Sequence, residues 1–287
     1  MRSRTTALLI IPALLVVILL LGIPILHLLS FGFFASPSGR ELSGAVTLQN
    51  YRTVLSDPFY LRVFGKTLFL SALTTAIVSL FGYCLAHFIW RQKRWRGFFV
   101  ILALSPLLIS IVISSYGWMV ILGNNGIINR ALLTLGVTSG PIKLIYTDAA
   151  IVLGLVHITL PFMTLSILAA LERIDEILPE AAATLGANPA RVLRHVLLPL
   201  ALPGVAAGTT IVFCLSMSAY VTPAVLGGSG PNFITTLIYN EFITQLNWPI
   251  GAVLASILLV LSLSIVFAYI HIMSGLGATG RTTKVPT

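Results

Sequence analysis

Six long apolar segments constrain the fold more than any other feature of this chain. A helix that crosses the hydrocarbon of a bilayer needs about 20 consecutive, mostly apolar residues. Six stretches meet that requirement: about Ala7–Leu29, Thr67–Trp90, Phe98–Leu122, Ala149–Leu171, Gly204–Leu226 and Trp248–Met273. The sequence therefore predicts an all-α, polytopic membrane protein with six transmembrane helices.

The low content of charged residues supports lipid as the solvent of this chain. Only 9% of its 287 residues are charged and 57% are hydrophobic, whereas a soluble domain carries roughly 25% charged residues. The net charge of +9 could suggest nucleic-acid binding. Because Lys and Arg also flank membrane spans and set their orientation, we expect a lipid bilayer and no nucleic acid as partner.

The distribution of Lys and Arg predicts the orientation. The first segment follows MRSRTT, is too long for the apolar part of a signal peptide, and is expected to be a retained anchor. With the N-terminus inside, the inner segments carry eleven Lys and Arg residues and the outer segments six. The strongest marker is RQKRWR at 91–96. Both termini and residues 180–199 are therefore expected on the cytoplasmic side.

The cores of the six segments contain no Asp, Glu, Lys or Arg. Transporters driven by proton or sodium gradients usually place ionisable residues at mid-membrane. The source of energy for transport is therefore expected outside this chain. An ion-gradient-driven secondary transporter that acts without an ATPase is the alternative.

The sequence contains no catalytic, metal-binding or cofactor-binding motif. Gly65-Lys66-Thr67 looks like the end of a phosphate-binding loop, but Tyr60 stands where that pattern needs glycine. The pair Gly204 and Gly208 has the spacing of closely packed membrane helices. We expect no catalytic residue, no metal and no cofactor in this chain.

Residues 180–199, EAAATLGANPARVLRHVLLP, contain several residues that typically begin or end a helix. Glu180 suits the first turn of a helix, and Gly186 fits its left-handed C-terminal cap. Asn188 suits the N-cap of a second helix with Pro189 at its first position, and Pro199 is expected to end that helix. We call residues 180–199 the Glu180 segment, which we predict to be two short helices that dock a soluble partner.

The Glu180 segment resembles the EAA motif of binding-protein-dependent ABC importer permeases: E-A-A, three residues, G, nine residues, I, one residue, L-P. The matching residues are Glu180, Ala181, Ala182, Gly186, Leu198 and Pro199. Val196 stands where the family has Ile. The resemblance implies that the segment docks in a groove of a separate ATP-binding subunit.

Three further stretches resemble the spermidine/putrescine branch of these permeases: 116–129, 220–228 and 247–252. The resemblance implies a type I ABC importer permease bundle in a bacterial inner membrane, with no enzymatic activity of its own. The implied partners are two copies of an ATP-binding subunit, a second permease that is identical or homologous, and a periplasmic or extracellular substrate-binding protein. The expected division of the chain is an N-terminal cytoplasmic tail with the first transmembrane helix and a periplasmic loop at 1–65, the permease domain at 66–273 and a cytoplasmic tail at 274–287.

The candidate substrate path consists of polar and aromatic residues near the outer ends of the predicted spans: Tyr116, Trp118, Tyr220, Asn232 and Glu241. Aromatic faces and a carboxylate could hold a polyamine cation. The alternative is that the rings anchor the helices at the lipid interface and that the carboxylate is solvated.

Overall fold

The structure is a computed structural model that describes residues 15–34, 46–228, 230 and 233–278, with side chains as far as residue 271. The described backbone forms helices α1 Leu15–Phe33, α2 Gln49–Ser56, α3 Pro58–Arg91, α4 Arg96–Leu108, α5 Ile111–Leu122, α6 Ile127–Thr134, α7 Asp148–Leu171, α8 Ile177–Thr184, α9 Pro189–Ser218, α10 Val221–Leu226, α11 Ile234–Tyr239 and α12 Trp248–Ala278.

The predicted number of membrane spans is confirmed. Among the described residues, six helical segments are long and apolar enough to cross a bilayer: Leu15–Phe33, Pro58–Arg91, Ile111–Thr134, Asp148–Leu171, Pro189–Ser218 and Trp248–His271. The second predicted span lies within α3, and the sixth lies within α12. The fourth coincides with α7 except for one residue at its start. Residues 7–14 of the first predicted span lie outside the described residues.

The prediction of one continuous third span over Phe98–Leu122 is wrong. The helix stops after Leu108, and Ile109 and Ser110 have ψ angles of 135° and 134°, far from helical values. Pro106 lies in the last turn of α4, where it removes one backbone hydrogen bond and crowds the preceding turn. β-Branched Ile109 lies in the break, and Ile111, Val112 and Ile113 follow it, so helix propensity is lowered there.

The predicted fifth span, Gly204–Leu226, is wrong at both ends. Helix α9 begins before the span and ends at Ser218, because Ala219 is extended with a ψ angle of 131°. Pro199 does not end a short helix, since α9 continues through it. The π-helical turn Leu193–Leu197 precedes Pro199, and its wider bore relieves the clash that a proline ring makes with the preceding turn.

The described part of the stretch between the first two predicted spans is mostly helical. Residues 46–48 are followed by helix α2, and α3 already begins at Pro58. The Asp57 side chain accepts a hydrogen bond from the Phe59 N–H at 2.8 Å, so it stabilises the first turn of α3.

The chain divides into two compact units. The first comprises Met1–Phe64 and Ile234–Leu261, and the second comprises Gly65–Phe233 and Ser262–Thr287. The core of the first unit contains Val54, Val63, Phe64, Ile234, Leu237, Val253 and Leu254. In that unit the Tyr51 hydroxyl lies 3.1 Å from the Ser256 hydroxyl. The division of the chain into segments 1–65, 66–273 and 274–287 stays a prediction.

Helix α7 is the centre of the second unit and packs most extensively on α9. Gly204 faces the Ser166 carbonyl and Gly208 faces Met163, so closely that an added Cβ would lie 2.6 Å from the first and 2.5 Å from the Met163 sulfur. Gly82 of α3 faces the same methionine. The predicted close packing at Gly204 and Gly208 is confirmed, and it holds these helices near the minimum distance that backbones allow.

Candidate functional site

Helix α8 ends in the left-handed glycine cap that the sequence predicts. Gly186 has a φ of +85°. Its N–H donates to the Ala183 carbonyl at 3.0 Å, and the Ala187 N–H donates to the Ala182 carbonyl at 3.1 Å. These two bonds form a Schellman motif, which satisfies carbonyls that a helix end leaves free.

The second helix of the Glu180 segment starts immediately after this cap. The Asn188 side chain accepts a hydrogen bond from the Arg191 N–H at 2.8 Å, with Pro189 at the first helical position. The predicted N-cap is therefore confirmed. Helix α8 itself begins at Ile177, so Glu180 lies in its first turn, where a carboxylate interacts favourably with the positive end of the helix.

The Glu180 segment exposes apolar surface at the turn between its helices. Leu185 is 89% exposed, and Ala181 and Gly186 beside it are also exposed. Beyond the turn, Leu198 and Pro199 are exposed on α9. A cavity of about 320 Å³ opens beside the turn and is lined by Ala182, Leu185, Ala187, Arg191, Val192, His195 and Val196. Leu185 itself lines this cavity, so the two form one exposed apolar patch, and such patches can mark surfaces that bind other proteins.

Two ion pairs connect the turn after α3 to the residues that lead into α8. The Lys93 ammonium lies 2.5 Å from the Glu176 carboxylate, and Arg96 pairs with Glu172. The hydrogen bond to Glu176 and the charges of Glu176 and Glu180 raise the pKa of Lys93. The basic 91–96 cluster and the start of the Glu180 segment therefore lie at the same end of the second unit.

A cavity of about 350 Å³ lies between the two breaks in the apolar helices. Its lining comes from the end of α4, the start of α5, the middle of α7 and the junction of α9 with α10: Pro106, Leu107, Ile109, Ile111, Leu155, Ile158, Thr159, Phe162, Leu215, Ser218, Ala219, Tyr220, Val221 and Thr222. We call it the central cavity. None of its lining side chains is charged.

A second, larger cavity of about 720 Å³ lies near the C-terminal end of α5. It is lined by Tyr116, Met119, Lys143, Tyr146, Ala224, Val225, Gly227, Gly228 and Gly230. Tyr146 and Gly228 both have positive φ angles, of 60° and 80°, and an added Cβ on Gly228 would lie 3.1 Å from the Tyr146 Cβ. We call it the Tyr146 cavity.

Residues 5–273 match the family described as "Binding-protein-dependent transport system inner membrane component". The chain belongs to this family. It is a multi-pass inner-membrane permease, a transport subunit and not an enzyme.

The permease is similar to curated proteins over most of its length. It is 34% identical to the spermidine/putrescine transport system permease protein PotB of Haemophilus influenzae, with 86% of each chain covered. It is 30% identical to PotB of Escherichia coli K12, with 82% of this chain and 86% of that one covered. In fold it is similar to a chain of a bacterial alginate ABC transporter, with a TM-score of 0.78, 19% identity and 100% and 97% of the two chains covered.

The candidate path residues of the permease do not all line one cavity. Tyr116 lines the Tyr146 cavity and Tyr220 lines the central cavity. Trp118 lines neither cavity. Its ring packs edge-on against His157, with 5.8 Å between the ring centres. Glu241 belongs to the first unit, in a π-helical turn after α11. Asn232 lies outside the described residues. Their role in the path stays a prediction.

Glu241 has a perturbed carboxyl group. Burial raises its pKa, and a hydrogen bond with the Asn247 side chain partly offsets this effect. The carboxylate therefore carries a desolvation cost when it ionises, which a cationic partner would reduce. Among the described residues, no three His, Cys, Asp or Glu side chains lie close enough together to hold a metal.

Sequence reasoning missed the central cavity of the permease. Hydropathy treats Phe98–Leu122 and Gly204–Leu226 as unbroken spans, because neither break contains a charged residue. Pro106 was the available signal for the first break. Sequence reasoning also missed the pairing of Lys93 with Glu176, which are far apart in the chain.

Proposed function

We propose that this permease forms the transmembrane path of an ATP-driven importer for spermidine, putrescine or a related small amine. The substrate proposal is supported by the relatives named spermidine/putrescine transport system permease, at 34% and 30% identity over more than four fifths of the chain. The permease would act with two ATP-binding subunits, a second permease that is identical or homologous, and a substrate-binding protein outside the membrane.

The geometry of the Glu180 segment is the observation that carries the energy-coupling part of this proposal. A Schellman cap at Gly186 is followed within two residues by the N-cap of α9, so the turn has a defined shape. Leu185 projects from that turn with 89% of its surface exposed. We infer that Glu180, Ala181, Ala182, Gly186, Leu198 and Pro199 form the surface that docks on the ATP-binding subunit.

In the proposed cycle, ATP binding closes the two ATP-binding subunits and moves the docked segments together. The permease pair then changes from an inward-open to an outward-open state. The segment acts as a mechanical link because its helices are capped at both sides of the turn, so motion at Leu185 moves the backbone as one body. Release of ADP and phosphate restores the inward-open state.

The proposed orientation has both termini in the cytoplasm. It is supported by the ion pairs of Lys93 with Glu176 and of Arg96 with Glu172, which place the Glu180 segment at the same end as the basic 91–96 cluster. Clusters of Lys and Arg remain preferentially on the cytoplasmic side. Labelling of single cysteines from outside intact cells would test it, since a cysteine at position 185 should not react.

The docking surface is tested with two exposed leucines. Leu185→Ser is expected to remove co-purification of the ATP-binding subunit and uptake of labelled putrescine, because the apolar contact is lost. Leu135→Ser changes a leucine that is 76% exposed after α6 and is expected to leave both unchanged. Retention of the ATP-binding subunit by Leu185→Ser would refute the docking role.

The substrate is tested by uptake of labelled spermidine and putrescine in cells with and without this gene, and with and without the ATP-binding subunit. Uptake that depends on both genes supports the proposal. Uptake that needs the permease but not the ATP-binding subunit would instead indicate an ion-gradient-driven transporter. For Tyr116 and Glu241, unchanged affinity and rate after substitution would remove them from the path.

A further inference from the structure

Two interrupted helices end at one place in the second unit. Helix α4 ends at Leu108 and α5 begins at Ile111, while α9 ends at Ser218 and α10 begins at Val221. Residues from both breaks line the central cavity. A break costs backbone hydrogen bonds in an apolar environment, and non-helical backbone at membrane depth is tolerated where it is buried in protein or lines a cavity.

The central cavity lies near the middle of the bundle. Thr159, which lines it, stands halfway along the 24-residue helix α7. The lining residues of α7 run from Leu155 to Phe162, about seven residues or more from either end of that helix. A solute held there would be about equally far from the two ends of α7.

The end of α4 presents carbonyl oxygens that lack backbone donors. Among the described residues, no backbone N–H donates to the carbonyls of Pro106, Leu107 or Leu108. The C-terminal end of a helix carries a partial negative charge of roughly half an electron. In interrupted membrane helices, such ends coordinate cations.

The side chains of the cavity fit an alkyl chain with an ammonium end. Most of the lining is aliphatic, which suits methylene groups. Thr159 and Thr222 are 2% and 1% exposed, and their hydroxyl oxygens can accept a hydrogen bond. Phe162 and Tyr220 add two aromatic rings, whose faces attract cations. A carboxylate substrate would find no charged donor among these side chains.

We propose that the central cavity is a transient binding site for an alkylammonium group of the transported substrate. The ammonium donates to main-chain carbonyls at the end of α4, and the methylene chain packs on Leu155 and Ile158. The site uses carbonyl dipoles and rings instead of a carboxylate, so binding stays weak enough for release, as conduction requires. This inference rests on the proposed import of an amine.

The first test uses the complete transporter reconstituted in vesicles, with saturating binding protein and labelled putrescine. Phe162→Leu removes a ring of the cavity and is expected to lower uptake at limiting putrescine about 2- to 30-fold, the range of a cation–π contact. Phe162→Tyr keeps the ring and is expected to retain most uptake. Phe81→Leu is the matched control, because Phe81 is exposed on α3 and does not line the cavity.

ATP hydrolysis is measured in the same vesicles to separate binding from coupling. Phe162→Leu is expected to keep the ATPase activity that binding protein stimulates, while fewer putrescine molecules enter per ATP. Thr159→Val removes one hydroxyl with little change of volume and is expected to have a smaller effect in the same direction. The inference would be overturned if Phe162→Leu and Phe162→Tyr both took up putrescine at the wild-type rate.

The second test measures occupancy without turnover. Ile158→Cys, in a chain with Cys84→Ser and Cys214→Ser, places a thiol in the cavity wall. Putrescine is expected to slow its reaction with N-ethylmaleimide several-fold, whereas 1,4-butanediol, of similar length but uncharged, is not. A thiol at Phe81→Cys should react equally with and without putrescine.

The outcomes distinguish the inference from the function on which it rests. If the wild-type transporter does not import putrescine or spermidine, the polyamine proposal fails and the cavity site fails with it. If import is intact but putrescine does not protect Ile158→Cys, the cavity inference alone is overturned. Equal protection by 1,4-butanediol would also overturn it, since the site would then bind alkyl chains without regard to charge.

Discussion

The Glu180 segment and the central cavity are built in opposite ways. In the Glu180 segment, every structural feature comes from residues within a few positions of one another: Gly186 caps α8 and Asn188 starts α9. The central cavity draws on five helices, and its residues run from Pro106 to Thr222. The first is a local structure on the surface, and the second exists only once the bundle has assembled.

This difference matches the two tasks that we propose for these regions, coupling and solute binding. A surface that transmits force must have a defined shape by itself, and short-range hydrogen bonds provide it. A site that binds and releases a solute must change its shape, and interrupted helices allow that because their breaks can move with little loss of side-chain packing. Local substitutions should therefore affect coupling, and long-range packing substitutions should affect assembly.

The largest effect is expected for Gly186→Val. A β-branched residue in the left-handed region costs about 1–3 kcal/mol, so the turn at Gly186 should lose its shape and, if the segment docks as proposed, labelled-putrescine uptake should fall at least about tenfold. Gly136→Val carries the same strain, since Gly136 has a φ of +69° and open space around it, but it lies outside the Glu180 segment. Uptake by Gly136→Val should therefore remain, and equal loss in both variants would refute a special role for Gly186.

A smaller effect, on assembly, is expected for Gly204→Ala. The new Cβ would lie 2.6 Å from the Ser166 carbonyl, which belongs to the backbone of α7 and cannot turn away. Overpacking of this kind costs typically about 1–3 kcal/mol. In Gly208→Ala the new Cβ meets the flexible Met163 side chain instead. The melting temperature in detergent should therefore fall less for Gly208→Ala than for Gly204→Ala. A larger fall for Gly208→Ala would contradict the described packing of α7 on α9.

Reversal of the exposed ion pair should have a modest effect. Lys93→Glu is expected to reduce uptake less than Gly186→Val does, because the pair lies at the surface and exposed pairs contribute little. The double variant Lys93→Glu/Glu176→Lys should restore uptake, most clearly at low salt, where screening is weakest. Failure of the double variant to recover would show that the pair does not position α8.

The smallest effect is expected for Glu241→Gln and depends on pH. Because burial raises the pKa of Glu241 in the folded chain, the native state binds more protons there than the unfolded state, so stability falls as pH rises from the ordinary carboxyl pKa through the raised one. Above that window, Glu241→Gln should melt slightly higher than the wild type in detergent. Below the ordinary pKa of 4.5 the two should melt alike, and a constant difference at all pH values would contradict the burial effect.

The sequence was sufficient for features that depend on composition or on neighbouring residues. Six spans follow from apolar length, and the caps at Gly186 and Asn188 follow from residue types with specific backbone preferences. The end of the second helix of the Glu180 segment could not be predicted this way. Pro199 is a strong stop signal, but the preceding π-helical turn makes room for it, and no local pattern indicates such a turn.

The central cavity could not be predicted from sequence because it depends on which helices become neighbours. The break after Leu108 has a local cause in Pro106, but its position beside the end of α9 is set by the packing of both helices on α7. Among the candidate path residues, Tyr220 was selected for its type and chain position. Phe162 and Thr159 were not, since one aromatic or hydroxyl residue in an apolar span carries no distinguishing signal.

The continuity of α9 across Pro199 has a mechanical consequence. A helix of 30 residues is about 45 Å long, and this one begins at the turn of the Glu180 segment and ends at Ser218 in the wall of the central cavity. Helix α9 therefore connects the Glu180 segment directly to the cavity wall, and the π-helical turn is its most deformable point. A tilt of a few degrees applied at the Glu180 segment would displace the cavity wall by ångströms, and any bending would be concentrated at the π-helical turn.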